Sequence, residues 1–169
     1  DDMVATHKSL QEEIEISKFL VLGGGGTIGQ AVAKEIFEHN PLVLHVVDQN
    51  ENSLAELARD IRNENGKNDI DFRTFVIDIG SIEFDAFIKN SQGYDYVLNL
   101  AALKHVRSEK DQYTLMRMIN VNVFYSLKTL RQSCLLGAKK YFCVSTDKAT
   151  NPINLMGATK RLMELFMLQ

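Results

Sequence analysis

Apolar residues along this chain alternate between two repeats. Runs at 18–22, 42–47, 72–77, 96–100 and 140–145 are largely apolar, as expected of strands in a parallel sheet covered on both faces. Between them the spacing changes to three and four residues, with Ile28, Ala31, Val32, Ile36 and Phe37 over 27–39, then Leu54, Leu57, Ala58 and Ile61 over 51–65. Such spacing predicts helices that bury one face. A short helix over 82–89, one or two helical segments over 114–136 stopped by Gly137, and a last helix over 155–168 complete the pattern. Residues 1–17 read as a short polar helix or arm. The alternation predicts a doubly wound α/β domain over 18–169, with a parallel sheet of about five strands and no repeat, low-complexity tract or linker.

Composition narrows the function without naming it. A chain of 169 residues fits one domain with a substantial core, and 45% hydrophobic with 24% charged residues is ordinary for a globular protein. A net charge of −3 gives no electrostatic reason to bind nucleic acid or an anionic membrane. No apolar run is long enough to span a bilayer, and the first residues lack a signal-peptide pattern. Cys134 and Cys143 form no CxxC pair and are expected to be buried thiols in a reducing, cytoplasmic compartment. His7, His39, His45 and His105 show no metal-ligand spacing with Cys or Glu, so no metal site is expected.

The segment between the first strand and first helix, Val21-Leu-Gly-Gly-Gly-Gly-Thr-Ile-Gly29, carries the first chemical signal. It satisfies G-x-G-x-x-G through Gly24, Gly26 and Gly29, and G-x-x-G-x-x-G through Gly23, Gly26 and Gly29. Glycine allows the turn, lets backbone approach a pyrophosphate, and brings helix close to strand. Thr27 and Ile28 would start the helix whose N-terminal N–H groups face the phosphates. Asp48, with Gln49 beside it, ends the second strand, where an acid accepts ribose hydroxyls and repels a 2′-phosphate. The expected cofactor is NAD, bound by a Rossmann-like sheet; the competing reading of the loop is a plain tight turn. A P-loop is disfavoured because Gln30 stands where lysine would follow the last glycine. Asp78 and Ile79 end the third strand, where they can meet the adenine amine and ring. Alternatively, Asp78 acts as an N-cap-type residue ahead of Ser81. Small residues Ala101 and Ala102 after the fourth strand leave room for a cofactor.

A second signal lies at 145–160, which packs Ser145, Thr146, Asp147, Lys148 and Lys160 into a strand, loop and helix. With Ala101-Ala-Leu-Lys-His-Val106, Asn120-Val-Asn-Val-Phe124, Asn151-Pro and Met156-Gly-Ala-Thr-Lys160, the chain resembles the extended short-chain dehydrogenase/reductases. Within them it is similar to the CapD-like polysaccharide-biosynthesis group of nucleotide-sugar 4,6-dehydratases. The likeness runs from about residue 18 to the end.

That resemblance implies a UDP-sugar substrate, UDP-N-acetylglucosamine or similar, converted to a 4-keto-6-deoxy sugar for surface glycans. By resemblance Asp147 is the acid toward the C6 hydroxyl and Lys148 the base at C5. Lys160 would bind the nicotinamide ribose, and Thr146 or Ser145 the C4 oxygen. Lys104, Ser145 and Asn151 would face the substrate. A homo-oligomer is also implied, with the 114–136 and last helices as candidate contacts. Met156 stands where most of the superfamily has the tyrosine base of YxxxK, and methionine transfers no proton. Either that role passes to Thr146, Asp147, water or substrate, as in larger members with Met here, or the chain is inactive. Retention of Asp147, Lys148 and Lys160 favours the first. A nucleotide-sugar epimerase and a non-catalytic dinucleotide-binding module are the alternatives. The resemblance also implies that a C-terminal sugar-binding lobe follows, leaving Leu162, Leu165, Phe166 and Met167 partly uncovered here and the isolated domain inactive.

Overall fold

The computed structural model describes residues 2–64, 70–104 and 111–168. Asn65, at the end of the second predicted helix, and His105-Val106 of the family-like string lie outside the described residues. The elements are α1 (Asp2–Glu15), β1 (Lys18–Leu22), α2 (Thr27–Glu38), β2 (Val43–Asp48), α3 (Glu51–Glu64), β3 (Asp71–Val76) and α4 (Ile82–Asn90). They continue with β4 (Tyr96–Asn99), α5 (Gln112–Ile119), α6 (Ser126–Leu135), β5 (Lys140–Cys143) and α7 (Leu155–Met167). All strands are parallel and their order is β3-β2-β1-β4-β5. This is the predicted Rossmann-like sheet, with strand boundaries shifted by one or two residues.

Strand β1 shows why the chain folds this way. Its residues alternate between two cores, with Phe19 and Val21 packing among Ala33, Phe37, Leu44 and Leu57. Leu20 and Leu22 pack on the opposite face with Val47, Phe84 and Ile88. A strand buried on both faces needs apolar residues at every position, and each such side chain contributes about 1.5–3 kcal/mol when fully buried. Leu22 pairs with Val47 on one side and Asn99 on the other, so the strand ends lie side by side. The chain order reverses between β1 and β4, which opens a crevice beyond their carboxyl ends, where ligands of such sheets bind.

Three features depart from the sequence expectations. The helix predicted over 114–136 starts two residues earlier and consists of α5 and α6 joined by a π-helical turn at Asn120–Tyr125. Asn122 is buried there on the inward face it shares with Met118 and Ser126, a polar residue that the apolar spacing did not mark as core. Cys134 is exposed rather than buried, because it lies on the outer side of the last turn of α6, while Cys143 is half-buried in β5; both are free thiols. The residues expected to be partly uncovered divide: Leu162, Leu165 and Phe166 are exposed and Met167 is half-buried. Among the described residues no helix is long and apolar enough to cross a membrane, and no group of three His, Cys, Asp or Glu is placed to hold a metal.

Candidate functional site

The crevice is walled by the loops after β1, β2, β3 and β4. Gly23, Gly26, Thr27, Ile28, Gly29, Asp48, Gln49, Asp78, Ile79, Ala101, Ala102 and Lys104 all line one cleft. Every predicted cofactor residue except Lys160 is therefore brought together, and Lys104, assigned to substrate, joins them. Ile77, Leu100, Leu103, Arg117 and Val121 complete the wall.

The glycine loop is tight for a specific reason. Gly23 has φ +77°, and a Cβ there would sit 2.4 Å from the Ala101 amide nitrogen. Only glycine suits both the left-handed backbone and this close approach to the end of β4. Gly26 differs, because it precedes α2 with φ −73° and a Cβ would meet nothing nearer than 3.6 Å. The Gly26 side of the loop is open space at the helix start. Among the described residues no side chain caps α2, which leaves its first N–H groups to meet an anion.

Asp48 is pinned by two backbone amides. Gly25 N–H donates to Oδ2 at 2.8 Å and Asn50 N–H to Oδ1 at 2.9 Å. Each carboxylate oxygen has a further acceptor lone pair, and the residue lines the cleft. Asp78 does not cap α4; Ser81 does, accepting from Phe84 N–H at 3.2 Å. Instead Asp78 Oδ1 accepts from Gly80 N–H at 2.9 Å and Oδ2 from Arg117 Nη2 at 2.5 Å.

The 145–160 segment sits beside this cleft rather than in its lining. Thr146 caps a short 3₁₀ turn, Asp147–Ala149, that presents Asp147 and Lys148 to solvent. The Thr146 hydroxyl donates to Asp147 Oδ1 at 2.9 Å, and Lys148 N–H donates to the same oxygen at 2.9 Å. Ser145 Oγ donates to Glu164 Oε1 at 2.5 Å, and Asn151 is exposed. Asn154 caps helix α7, its Oδ1 accepting from Gly157 N–H at 2.8 Å. Met156 is only 4% exposed and packs inward from the first turn of α7.

Lys160 is buried as well, and its Nζ donates to the Val144 carbonyl at 2.9 Å. Burial pulls its pKa below the ordinary lysine value, against the opposing pull of Cys143 and Glu164.

One buried side chain ties cleft and helix together. Asn122 Oδ1 accepts from Leu103 N–H at 2.9 Å, and Nδ2 donates to the Leu103 carbonyl at 2.9 Å and to Thr159 Oγ at 3.1 Å. Thr159 Oγ in turn donates to the Met156 carbonyl at 2.8 Å. Asn122 belongs to the N-V-N-V-F string, but its side-chain partners are legible only in three dimensions. Arg117 and Glu164 carried no sequence signal at all.

Comparison with known proteins places this geometry in a family. The chain is 34% identical over 145 residues to an uncharacterized membrane protein of Methanocaldococcus jannaschii, covering 86% of this chain and 40% of that protein. It is 31% identical over 142 residues to UDP-N-acetylglucosamine 4,6-dehydratase (inverting) of Campylobacter jejuni, covering 83% and 40% of the two chains. It thus spans well under half the length of these relatives. The X-ray structure of Pen from Bacillus thuringiensis superposes with a TM-score of 0.77 at 27% identity, over 90% of this chain and 45% of that one. A glycine-loop cleft with an acid at the end of β2, and a Thr-Asp-Lys turn after β5, fall inside the region matched by a single family profile, residues 19–169, and the chain belongs to that family, described as polysaccharide biosynthesis protein.

Proposed function

We propose that this chain is the NAD-binding part of a nucleotide-sugar 4,6-dehydratase acting on UDP-N-acetylglucosamine or a similar UDP-sugar. The observation that carries this reading is the pairing of a cleft shaped for a dinucleotide with a hydrogen-bonded Thr146-Asp147-Lys148 turn beside it. The open side of Gly26 and the uncapped start of α2 fit a pyrophosphate, since a methyl group at Gly26 would enter that space. Asp48 would accept ribose hydroxyls. Asp78 and Ile79 would meet adenine, and Ala101 and Ala102 leave room for the nicotinamide half. When bound, NAD supplies a hydride acceptor at C4 of the sugar that later returns the hydride to C6.

The rest is proton chemistry by the chain's own residues. The Thr146 hydroxyl proton is already committed to Asp147, so its lone pairs would accept from the C4 hydroxyl of the sugar. A proton leaving that hydroxyl then has a path through Thr146 to Asp147. Asp147, so protonated, becomes the acid that releases the C6 hydroxyl as water. The Lys148 amine takes the C5 proton, made acidic by the C4 ketone, and gives a proton back to C5 as the hydride returns to C6. This path accounts for chemistry without a tyrosine at 156, where Met156 packs inward. Lys160 would hold the nicotinamide ribose, and Lys104, Ser145 and Asn151 would face the sugar nucleotide. The exposed faces of α5, α6 and α7 are the surfaces on which a homo-oligomer would assemble.

Incubating the full-length protein with UDP-N-acetylglucosamine should give a 4-keto-6-deoxy product visible by NMR. A product that is a stereoisomer of the substrate, formed without loss of water, would identify an epimerase instead. No turnover of any UDP-hexose would leave only a non-catalytic binding module.

The cofactor preference has its own test. Asp48→Ala should weaken NAD binding about tenfold and narrow its advantage over NADP, by removal of an anion beside the 2′ position. The ratio is the readout, because Asp48 also holds the Gly25 and Asn50 amides. An unchanged NAD-to-NADP ratio would refute the assignment.

A further inference from the structure

A cation is fixed across the far end of the cleft, at a position that no sequence motif marks. Arg117 leaves the last turn of α5 and reaches two strand ends at once. Its Nη2 lies 2.5 Å from Asp78 Oδ2, beyond β3, and 3.1 Å from Gln49 Oε1, beyond β2. Its guanidinium carbon lies 5.6 Å from the centre of the Tyr125 ring. Arg117, Asp78 and Gln49 line the same cleft as Gly26 and Asp48. Burial raises the cost of ionising Asp78. The Gly80 N–H, Arg117 and Lys128 together outweigh that and hold its carboxyl below the ordinary range.

The arrangement has a chemical consequence. Asp78 is an ionised carboxylate with one position on each oxygen already filled. It has about two acceptor positions left and no proton to give. Such a group accepts from the 6-amino group of adenine. In the same pose a 6-oxo purine would set its own lone pairs against the carboxylate. Without Arg117, Asp78 and Asp48 would stand as two carboxylates in the cleft, and the Gly80 N–H would hold Asp78 by Oδ1 alone, leaving Oδ2 without its charged partner. The guanidinium reaches Asp78 Oδ2 and Gln49 Oε1 through one nitrogen while lying over the Tyr125 ring, a set of contacts that a lysine ammonium would reproduce only in part.

We propose that Arg117 is the positioning residue that sets purine selectivity at the adenosine end of the cofactor, by holding Asp78 in the orientation that accepts the 6-amino group. This rests on the dinucleotide reading of the cleft. The test is calorimetric titration of the intact chain with NAD and with nicotinamide hypoxanthine dinucleotide. The native chain should prefer NAD by about tenfold or more, the scale of one charge-assisted hydrogen bond. Arg117→Ala should cut that preference at least several-fold, leave the affinity for nicotinamide mononucleotide unchanged, and keep its melting transition. Arg117→Lys should recover only part of the preference, and it serves as the reporter if the alanine variant does not fold. A preference that is the same in the native chain and both variants would overturn the proposal while leaving the dinucleotide reading intact. Failure of the native chain to bind NAD would sink the dinucleotide reading and this inference with it.

Discussion

Gly26→Ala should keep the fold and lose the dinucleotide, whereas Gly23→Ala should destabilise the fold itself. The two glycines are three residues apart in one loop, yet they answer to different constraints. A Cβ at Gly26 has its nearest neighbour at 3.6 Å and the backbone there is open to any residue. Alanine also restricts the unfolded chain, which stabilises by about 0.4–1 kcal/mol where the native conformation suits it. The melting temperature should therefore stay or rise slightly. The methyl group would occupy the space proposed for the pyrophosphate, so NAD affinity should fall tenfold or more, about 1.4 kcal/mol.

At Gly23 the sign reverses. Its φ of +77° is unfavourable for alanine, and the Cβ would lie 2.4 Å from a backbone nitrogen of the neighbouring strand end. Backbone strain costs about 1–3 kcal/mol, and overpacking against an immovable neighbour about 1–3 more. Against a total stability of about 5–15 kcal/mol, a fall in melting temperature of at least about 4 °C follows. Calorimetric melting and NAD titration of both variants check the pair. Native-like NAD binding by Gly26→Ala would remove the loop from the cofactor site.

Asp147→Asn in the full-length protein should lower kcat by about 10²–10⁴, the usual contribution of a positioned acid or base. The change is conservative in shape. Asparagine still offers an oxygen to the Thr146 hydroxyl and the Lys148 amide, which hold Asp147 at 2.9 Å each. What it removes is the ability to take a proton and deliver it to the C6 hydroxyl. Asp147 does not line the cleft, so NAD affinity should change less than about twofold. Loss of turnover with intact NAD binding separates proton transfer from cofactor binding. Turnover within tenfold of the native enzyme would remove Asp147 from the acid role.

Much of this was legible in the chain itself, for a local reason. Strand β1 had to be buried on both faces because Phe19, Leu20, Val21 and Leu22 are apolar in succession. Gly23 could make the left-handed turn and Gly29 could leave room for the loop backbone because both abilities belong to a residue without a Cβ. Asp48, Asp147 and Lys148 announced themselves as chemical groups at the ends of predicted strands. The sheet order and the side-by-side strand ends then gathered all but one of the predicted cofactor residues into one cleft.

Contacts between distant elements were decided only by the tertiary structure. Arg117 meets Asp78 across 39 positions of sequence and Gln49 across 68, and no local repeat encodes either meeting. Asn122 lies in the π-helical turn as a polar residue with no apolar signal, and its buried side chain joins the Leu103 backbone to Thr159. Asp78 could have capped a helix by its position; the Arg117 guanidinium and the cap supplied by Ser81 assigned it elsewhere. Met156 and Lys160 were readable as residue types, but their burial and the Lys160 bond to the Val144 carbonyl come from how α7 packs beside the end of β5. Sequence alone determined which backbone conformations and chemical groups this protein has. Packing decided which of those groups face one another, because that depends on strand register and helix placement, which no short stretch of residues fixes by itself.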